Sequence, residues 1–389
     1  MVSGQWTRDD LHSHLERQVR TSVGKHTMAE EQAEESGVKD ALERAAAGER
    51  ITEEECLALF SHNNLPALGQ AAHDVRMRKA PPGIVTYVVD RNINYTNICV
   101  SGCAFCAFYR RPGSPEGYVL SLEEVLAKVA EAVDAGGTQI LMQGGLHPDF
   151  GLDEMERMLA AIKEHFQVHL HSLSPPEVVH LARTSGAGIE ETVRRLREAG
   201  LDSLPGGGAE ILCSQVREEL SPRKATVEEW EEVMRVAQRM GMSTTATMVF
   251  GHVESWAQRV EHLSRLRRLQ DETAGFKAFI PWTYQSQNTR LGGRCVGGHD
   301  YLKTLAISRL FLDNFDNVQA SWVTQGLGVA QVALFFGAND LGGTMMEENV
   351  VRAAGASFDA SEMQVRCTIE GAGFRAVKRN TLYEYLEAA

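Results

Sequence analysis

At 389 residues, 43% hydrophobic and 23% charged, the chain can build one large α/β barrel or two average domains, and its composition is too ordinary for wholesale disorder. A formal charge of −13 works against a polyanionic partner. The basic pairs Arg110/Arg111, Arg194/Arg195 and Arg267/Arg268 lie too far apart to make a compensating stripe, so nucleic acid is not expected.

Residues 1–50 are polar and rich in Glu, Ala, Arg and Gln, and read as a loose arm with one amphipathic helical stretch near Val38 to Ala47. Its N-terminal part lacks the apolar core of a signal peptide. No apolar run reaches the roughly 18 residues of a membrane span either, so membrane insertion is not expected and a cytoplasmic location is. A lead-in follows over 51–83, where Cys56, Leu57, Leu59, Phe60, Leu65, Leu68 and Ala71 suggest two short helices before Pro81, Pro82 and Gly83.

From residue 84 to 389 short apolar runs alternate with helical patterns, which predicts stacked βα units around a parallel sheet, with a C-terminal extension. Strands are expected near Ile84–Val89, Thr138–Met142, Val168–Leu173, Asp202–Leu204, Thr244–Phe250, Phe276–Trp282, Val318–Val323 and Ala338–Gly342. Eight strands fit a closed (β/α)8 barrel of the TIM type. Between them, Ser121 with Glu124 forms the pattern of a capping box for a helix from Leu122 to Ala135, whose Leu122, Val125, Leu126, Val129 and Val133 share one face. Comparable helical patterns run over 153–166, 189–199, 226–240, 256–270 and 301–314.

In such barrels the reactive groups sit where the strands end. The expected ends carry Gln143-Gly144-Gly145, His171-Ser172, a glycine run closing on Ala209-Glu210, Gly251-His252-Val253-Glu254, Thr283-Tyr284-Gln285, Thr324-Gln325 and Asn339-Asp340.

Seven cysteines are too few and too unevenly placed for a disulfide framework, and three of them crowd one stretch, Cys99-Val-Ser-Gly-Cys103-Ala-Phe-Cys106. Three soft thiolates in a loop that Gly102 allows to curl suit an iron–sulfur cluster with one iron left open to a small molecule. A structural zinc is the competing reading, and the sequence places no nearby fourth ligand: the histidines closest to the motif are His73 and His147. Cys56, Cys213, Cys295 and Cys367 are scattered and read as isolated side chains.

The Cys-x3-Cys-x2-Cys spacing, with Phe105 before the last thiol, resembles the radical S-adenosylmethionine superfamily. Around it, NINYTNICVSGCAFCAFYRRPGSPEGYVLS, GGTQILMQGGLHPDFGL, VHLHSLSPPE, GLDSLPGGGAEIL, TTATMVFGHVE, DETAGFKAFIPWTYQ and FGANDLGGTMMEENVV resemble its menaquinone-pathway branch and the deazaflavin-cofactor relatives. Within that branch three segments favour the dehypoxanthine futalosine cyclases. These are the Tyr109-Arg110 step, the strand Phe279-Ile280-Pro281-Trp282-Thr283, and Gly337-Ala338-Asn339-Asp340. The sibling aminofutalosine synthases and the deazaflavin-type synthases are the alternatives inside the class. A metal-stapled binding protein without catalysis is the alternative outside it.

The resemblance implies a [4Fe-4S] cluster on Cys99, Cys103 and Cys106 and S-adenosylmethionine as cofactors, with a low-potential donor such as flavodoxin or ferredoxin as partner. It implies conversion of dehypoxanthine futalosine to its cyclic form: a deoxyadenosyl radical abstracts the C4′ hydrogen of the sugar and the resulting carbon radical adds to the carboxyphenyl ring. Phe105, Gly144, Gly145 and Glu210 are then expected at the cofactor, although Glu210 could equally cap the next helix. Ser172, Ser174 and Tyr284 are expected near the substrate. His252 and Glu254 are the leading choices for the base that removes the ring proton, with His147 and His171 beside them.

Overall fold

The structure is a computed structural model that describes residues 28–386, with side chains from residue 36. Most of the expected loose arm, residues 1–27, lies outside the described residues; its last part belongs to a helix, Met28–Ala47.

Two more helices, Glu53–Ser61 and Leu65–Lys79, lead into the sheet. The first opens on a capping box in which Thr52 Oγ1 accepts the Glu55 N–H and Glu55 accepts the Thr52 N–H. The first packs against helices Trp256–Thr273 and Gly298–Phe311 and the second against Gly298–Phe311, and they bury Leu59, Phe60 and Leu68 in the same core as Trp230 and Phe279.

Seven parallel strands curl side by side in chain order: β2 (Asp90–Ile93), β3 (Gln139–Met142), β4 (His169–Ser172), β5 (Ser203–Leu204), β6 (Ser243–Phe250), β7 (Phe276–Thr283) and β8 (Asn317–Val318). A second, three-stranded sheet holds β1 (Ile84–Val88) between β10 (Arg375–Lys378) and β9 (Asp340–Gly343). β9 bridges the two open edges. The Asn339 N–H bonds Val318 O and the Ala320 N–H bonds Asp340 O on one side, while the Thr344 N–H bonds Val88 O and the Met346 N–H bonds Asp90 O on the other. Hydrogen bonding is therefore continuous around the ring, which gives a barrel of the (β/α)8 type with few unpaired edges.

The structure moves several expected boundaries. The first strand does not end the run at Val89: pairing passes there from β9 and β10 to β3, and Asp90–Ile93 continues as the strand that carries the cysteine loop. The expected strand Val318–Val323 shrinks to Asn317–Val318, because a helix begins at Trp322 and takes in Thr324 and Gln325. Asn339-Asp340 opens β9 instead of ending a strand, so it lies at the floor of the barrel, away from the reactive mouth. On helix Leu122–Asp134 the buried residues are Val125, Val129 and Ala132, while Leu122 and Val133 are exposed. No helix among the described residues is long and apolar enough to cross a membrane.

The floor is sealed by the C-terminal segment. After β10, Arg379 forms two bonds to Asp340, 2.5 and 2.9 Å, with both side chains buried, and lies 3.8 Å over the Tyr383 ring. Thr381 Oγ1 donates to Gln139 Oε1, whose amide donates to Asp90. Removing the cation leaves a buried carboxylate unpaired, the expensive way to break such a pair. Arg379→Met should lower stability by about 3–5 kcal/mol in urea denaturation, with part of the loss recovered when Asp340→Asn is added.

Candidate functional site

The loop after β2 carries the three thiols and is pinned from every side by backbone bonds. The Cys99 N–H bonds Arg110 O, the Val100 N–H bonds Leu146 O, the Ala104 N–H bonds Leu220 O and the Leu291 N–H bonds Ala104 O. Two arginines brace its crest, Arg223 on Ser101 O and Arg290 on Gly102 O. Gly102 has φ +61°, the left-handed turn its place in the motif calls for. Cys99, Cys103 and Cys106 all border one cavity of about 210 Å³ at the mouth of the barrel. Burial raises the Cys103 thiol and, with Cys103 beside it, pushes Cys106 up to about 11. Two thiols that resist ionisation in the bare chain, one buried and one half-buried, are groups a cationic metal cluster would relieve.

The wall beside Cys99 is the chain that leaves β3, Gln143-Gly144-Gly145. A Cβ on Gly145 would stand 2.2 Å from Ile98 O and 3.0 Å from Cys99 Cβ, and one on Gly144 would stand 2.6 Å from the Tyr95 ring. Only glycine lets this strand end close against the root of the cysteine loop. Both amide protons are used within the protein, Gly144 N–H by Glu177 Oε1 at 2.9 Å and Gly145 N–H by Thr96 O at 2.9 Å. With both amide protons spent, the backbone groups the pair has left are carbonyl oxygens, acceptors of the kind an ammonium group takes.

Glu177 was not legible as a site residue. It sits in the first turn of helix Pro175–Ser185, three residues after Ser174, the spacing of a capping box, yet its carboxylate turns into the cavity. There it accepts from Tyr95 Oη at 2.8 Å, Gly144 N–H and Ser174 Oγ at 2.5 Å. Burial pushes it up to about 7 against the pull of these three donors.

Glu210 lies in the same cavity, buried, with its backbone at φ +41°, one of the strained positions that cluster at functional sites. Its Oε1 accepts from Lys224 Nζ at 2.9 Å. Its Oε2 has no hydrogen-bond partner; Arg217 is 3.5 Å away, near enough for charge attraction only, and spends its own donors on Gly208 O, Ala209 O and Ala225 O. The helix-cap reading of Glu210 does not hold, because the next helix, Ser214–Leu220, starts from Cys213. Lys224, a second residue the motifs did not reveal, stands 5.5 Å from the centre of the Phe105 ring, and Glu210 and Cys103 hold its ammonium above the usual range despite burial.

A second cavity of about 290 Å³ fills the barrel lumen. It meets the thiol cavity along Phe105, Gln143, Gly207, Gly208, Glu210 and Val350, which line both. Its sides mix apolar Leu141, Val249, Ile280 and Trp282 with Asp90, Asn92, His171 and Glu348, and its floor is Arg379, Thr381 and Tyr383.

The remaining expected residues divide. Ser174 borders the thiol cavity and His171 the lumen. Ser172 is fully buried with its hydroxyl unpartnered and lines neither. Tyr284 is turned aside: its hydroxyl bonds Thr289 Oγ1 at 2.5 Å and Gly292 O at 2.9 Å. His147 accepts from the Asp149 N–H at 3.0 Å, and its carbonyl takes the His180 ring. His252 and Glu254, expected as the proton acceptors, line neither cavity. They are paired with each other at 2.9 Å, His252 Nε2 is on Val249 O, and Glu254 also binds Arg259 at 2.8 Å. Burial works against the Glu254 charge, but His252, Arg259 and the Gly251 N–H outweigh it and hold the carboxyl at about 2. Such a group accepts no proton at neutral pH; it locks the turn after β6.

Comparison with known proteins accords with this geometry. Residues 93–266 match the radical SAM superfamily, and residues 273–389 match the CofH/MqnC C-terminal region. The chain is 46% identical over 358 residues to a cyclic dehypoxanthine futalosine synthase of Streptomyces coelicolor, covering 91% of this chain and 90% of that one. A protein of the same name from Halalkalibacterium halodurans is 47% identical over 89% of this chain and 94% of its own. A 5-amino-6-(D-ribitylamino)uracil–L-tyrosine 4-hydroxyphenyl transferase of Methanopyrus kandleri is 43% identical over 81% of this chain and 88% of its own. Among solved structures, the FeFe-hydrogenase maturase HydG of Carboxydothermus hydrogenoformans superposes with a TM-score of 0.73 at 14% identity, over 97% of this chain and 87% of that one, which speaks for the fold alone. A loop of three thiols on a parallel barrel, a C-terminal segment that closes the lumen, and likeness along nine-tenths of the sequence agree: the chain belongs to the radical SAM superfamily, in the family that unites cyclic dehypoxanthine futalosine synthases with these hydroxyphenyl transferases.

Proposed function

We propose that the protein is a radical S-adenosylmethionine cyclase that converts dehypoxanthine futalosine to cyclic dehypoxanthine futalosine on the futalosine route to menaquinone. The observation that carries the reading is the full-length likeness to two synthases of that name, 46% and 47% identical. The two abutting cavities with a shared wall support it.

Cys99, Cys103 and Cys106 are the thiols that would hold a [4Fe-4S] cluster, and three ligands leave one iron for the cofactor. Bound there, the cluster and S-adenosylmethionine supply a primary carbon radical. The chain's own residues do the rest. Gly144 and Gly145 offer carbonyl oxygens to the cofactor's ammonium, and Glu177 holds that strand end in place by fixing the Gly144 N–H. The free Oε2 of Glu210 is an acceptor waiting for a donor on the cofactor, since a buried carboxylate oxygen without a partner costs about 1–3 kcal/mol or more.

A primary carbon radical attacks almost any C–H bond it meets, so selectivity depends on confinement. The lumen provides it. Phe105, Gly207 and Gly208 stand between the two cavities, and the glycines add no side chain to the passage. A Cβ on Gly207 would stand 2.6 Å from Gln143 Nε2, and one on Gly208 2.4 Å from Pro176. Arg379, Thr381 and Tyr383 form the floor of that chamber.

Three outcomes test the reading. Anaerobically reconstituted protein should bind about four irons per chain and release 5′-deoxyadenosine on reduction with S-adenosylmethionine, and Cys103→Ser should lose both; a serine variant releasing it at the parent rate would end the cluster assignment. Dehypoxanthine futalosine deuterated at C4′ should deliver the label into 5′-deoxyadenosine. Turnover of L-tyrosine with 5-amino-6-(D-ribitylamino)uracil, or an adenosylated product from an enolpyruvyl benzoate, would instead move the assignment to a sibling reaction. Gly145→Ala should cut iron content at least about twofold in the folded protein, because its methyl group would have to displace Ile98 O and the Cys99 root.

A further inference from the structure

With His252 and Glu254 tied to each other and to Arg259 at the turn after β6, the ring proton needs another way out of the lumen. The interior face of β4 supplies one. His169 and His171 are two residues apart on the strand, so their side chains lie on the same face, and His171 lines the lumen. Ser203 pairs with His171 across β4 and β5 and is fully buried. Its Oγ stands 2.7 Å from His171 Nδ1 and 2.7 Å from His169 Nε2. A hydroxyl has one proton and two lone pairs, so it can accept from one imidazole while donating to the other.

The two ends of this chain differ. His171 is buried, and its Nε2 is 3.4 Å from Thr245 Oγ1, another lumen residue. His169 is only partly buried, on the floor side of His171, next to Asp202. Asp202 is paired with Lys163 at 2.7 Å, and both are about a third exposed. The line therefore runs from the lumen to solvent at the floor of the barrel. Burial, with His169 and Arg379 nearby, brings His171 down to about 3, and burial lowers His169 as well, so both rings are neutral at neutral pH and free to accept. A base of that kind passes a proton on and does not store it.

We propose that His171, Ser203 and His169 form a proton relay that carries the ring proton of the cyclisation from the lumen to the barrel floor. The inference rests on the cyclase reading above. After the sugar carbon has bonded to the ring, the ring C–H bond breaks and its proton goes to His171 Nε2. One electron leaves to a one-electron acceptor of the iron–sulfur or flavin class, and the remaining electrons restore the aromatic sextet. The proton on His171 Nδ1 moves to Ser203 Oγ as the hydroxyl proton moves to His169 Nε2, and His169 releases a proton to solvent beside Asp202. His171 is the catalytic residue of the three; Ser203 and His169 act through it.

Holoenzyme assays on Ser203→Ala, Ser203→Thr and His169→Gln test the relay. General-base assistance contributes about a hundredfold or more, so interrupting its exit should slow cyclised product at least about tenfold. KM for the substrate should stay within about twofold, and 5′-deoxyadenosine should be released in growing excess over cyclised product. Ser203→Thr, which keeps the hydroxyl, should restore the parent ratio. His169→Gln, which cuts the outer link without touching the lumen, should show the same excess and guards against a packing fault at Ser203. The parent measured in parallel separates the two levels of the argument. A parent that makes 5′-deoxyadenosine but no cyclised product overturns the futalosine reading and this step with it. A parent that cyclises alongside Ser203→Ala and His169→Gln variants with unchanged rate and product ratio overturns the relay alone.

Discussion

The contact on which the site depends is the one between Gly145 and the root of the cysteine loop. Two strand ends, β2 and β3, have to come so close that no side chain fits between them, and the Val100 N–H then bonds Leu146 O while the Gly145 N–H bonds Thr96 O. That pair of backbone bonds fixes the height of the thiols above the barrel mouth. Everything with chemical meaning is set relative to it: the glycine carbonyls, Glu177 behind them, and Glu210 with Lys224 across the cavity. Rigid strand ends are a better foundation for radical chemistry than mobile loops, because a misplacement of about 1 Å at the reacting carbon is enough to cost a hundredfold.

Buried charge is handled differently at Glu254 and around the cavities. Behind β6 the carboxylate of Glu254 is fully matched, by His252 and Arg259, and Arg259 in turn meets Asp300 and Thr304. Such closed networks rigidify but offer nothing to a ligand. Around the cavities the matching is incomplete: Glu210 Oε2 and Asn92 Oδ1 lack partners, Asp90 is pushed up to about 6 by burial, and Glu348 is raised as well. Incomplete matching in a buried place is a reservoir that a ligand can draw on.

What the sequence made legible follows the range of the interactions involved. The thiol trio could be read because its geometry is local, eight residues in one loop, and the helix starts could be read because capping is local too, as with Ser121 and Glu124. The strand sequence from β3 to β7 was legible for the same reason. Errors came where a distant partner decides. Whether Ala132 or Val133 faces the core depends on how the helix is rotated over the sheet, and the break at Val89 depends on which neighbour pairs with each side of it. Glu254 looked available from its place after a strand, but the arginine that neutralises it is one helical turn into the next element. Glu177 shows the converse: nothing in its sequence setting marked it for the site, and only the fold brings Tyr95 and Gly144 to its carboxylate.

The floor of the lumen ties the stability of the fold to its chemistry. Arg379, Thr381 and Tyr383 line the base of a chamber whose walls are built from β2 to β9, and the same Arg379 neutralises the buried carboxylate of Asp340. A substitution that loosens this segment therefore acts twice: it strands a charge inside the fold and loosens the chamber from below. Tolerance to change at these positions is set by confinement as well as by folding.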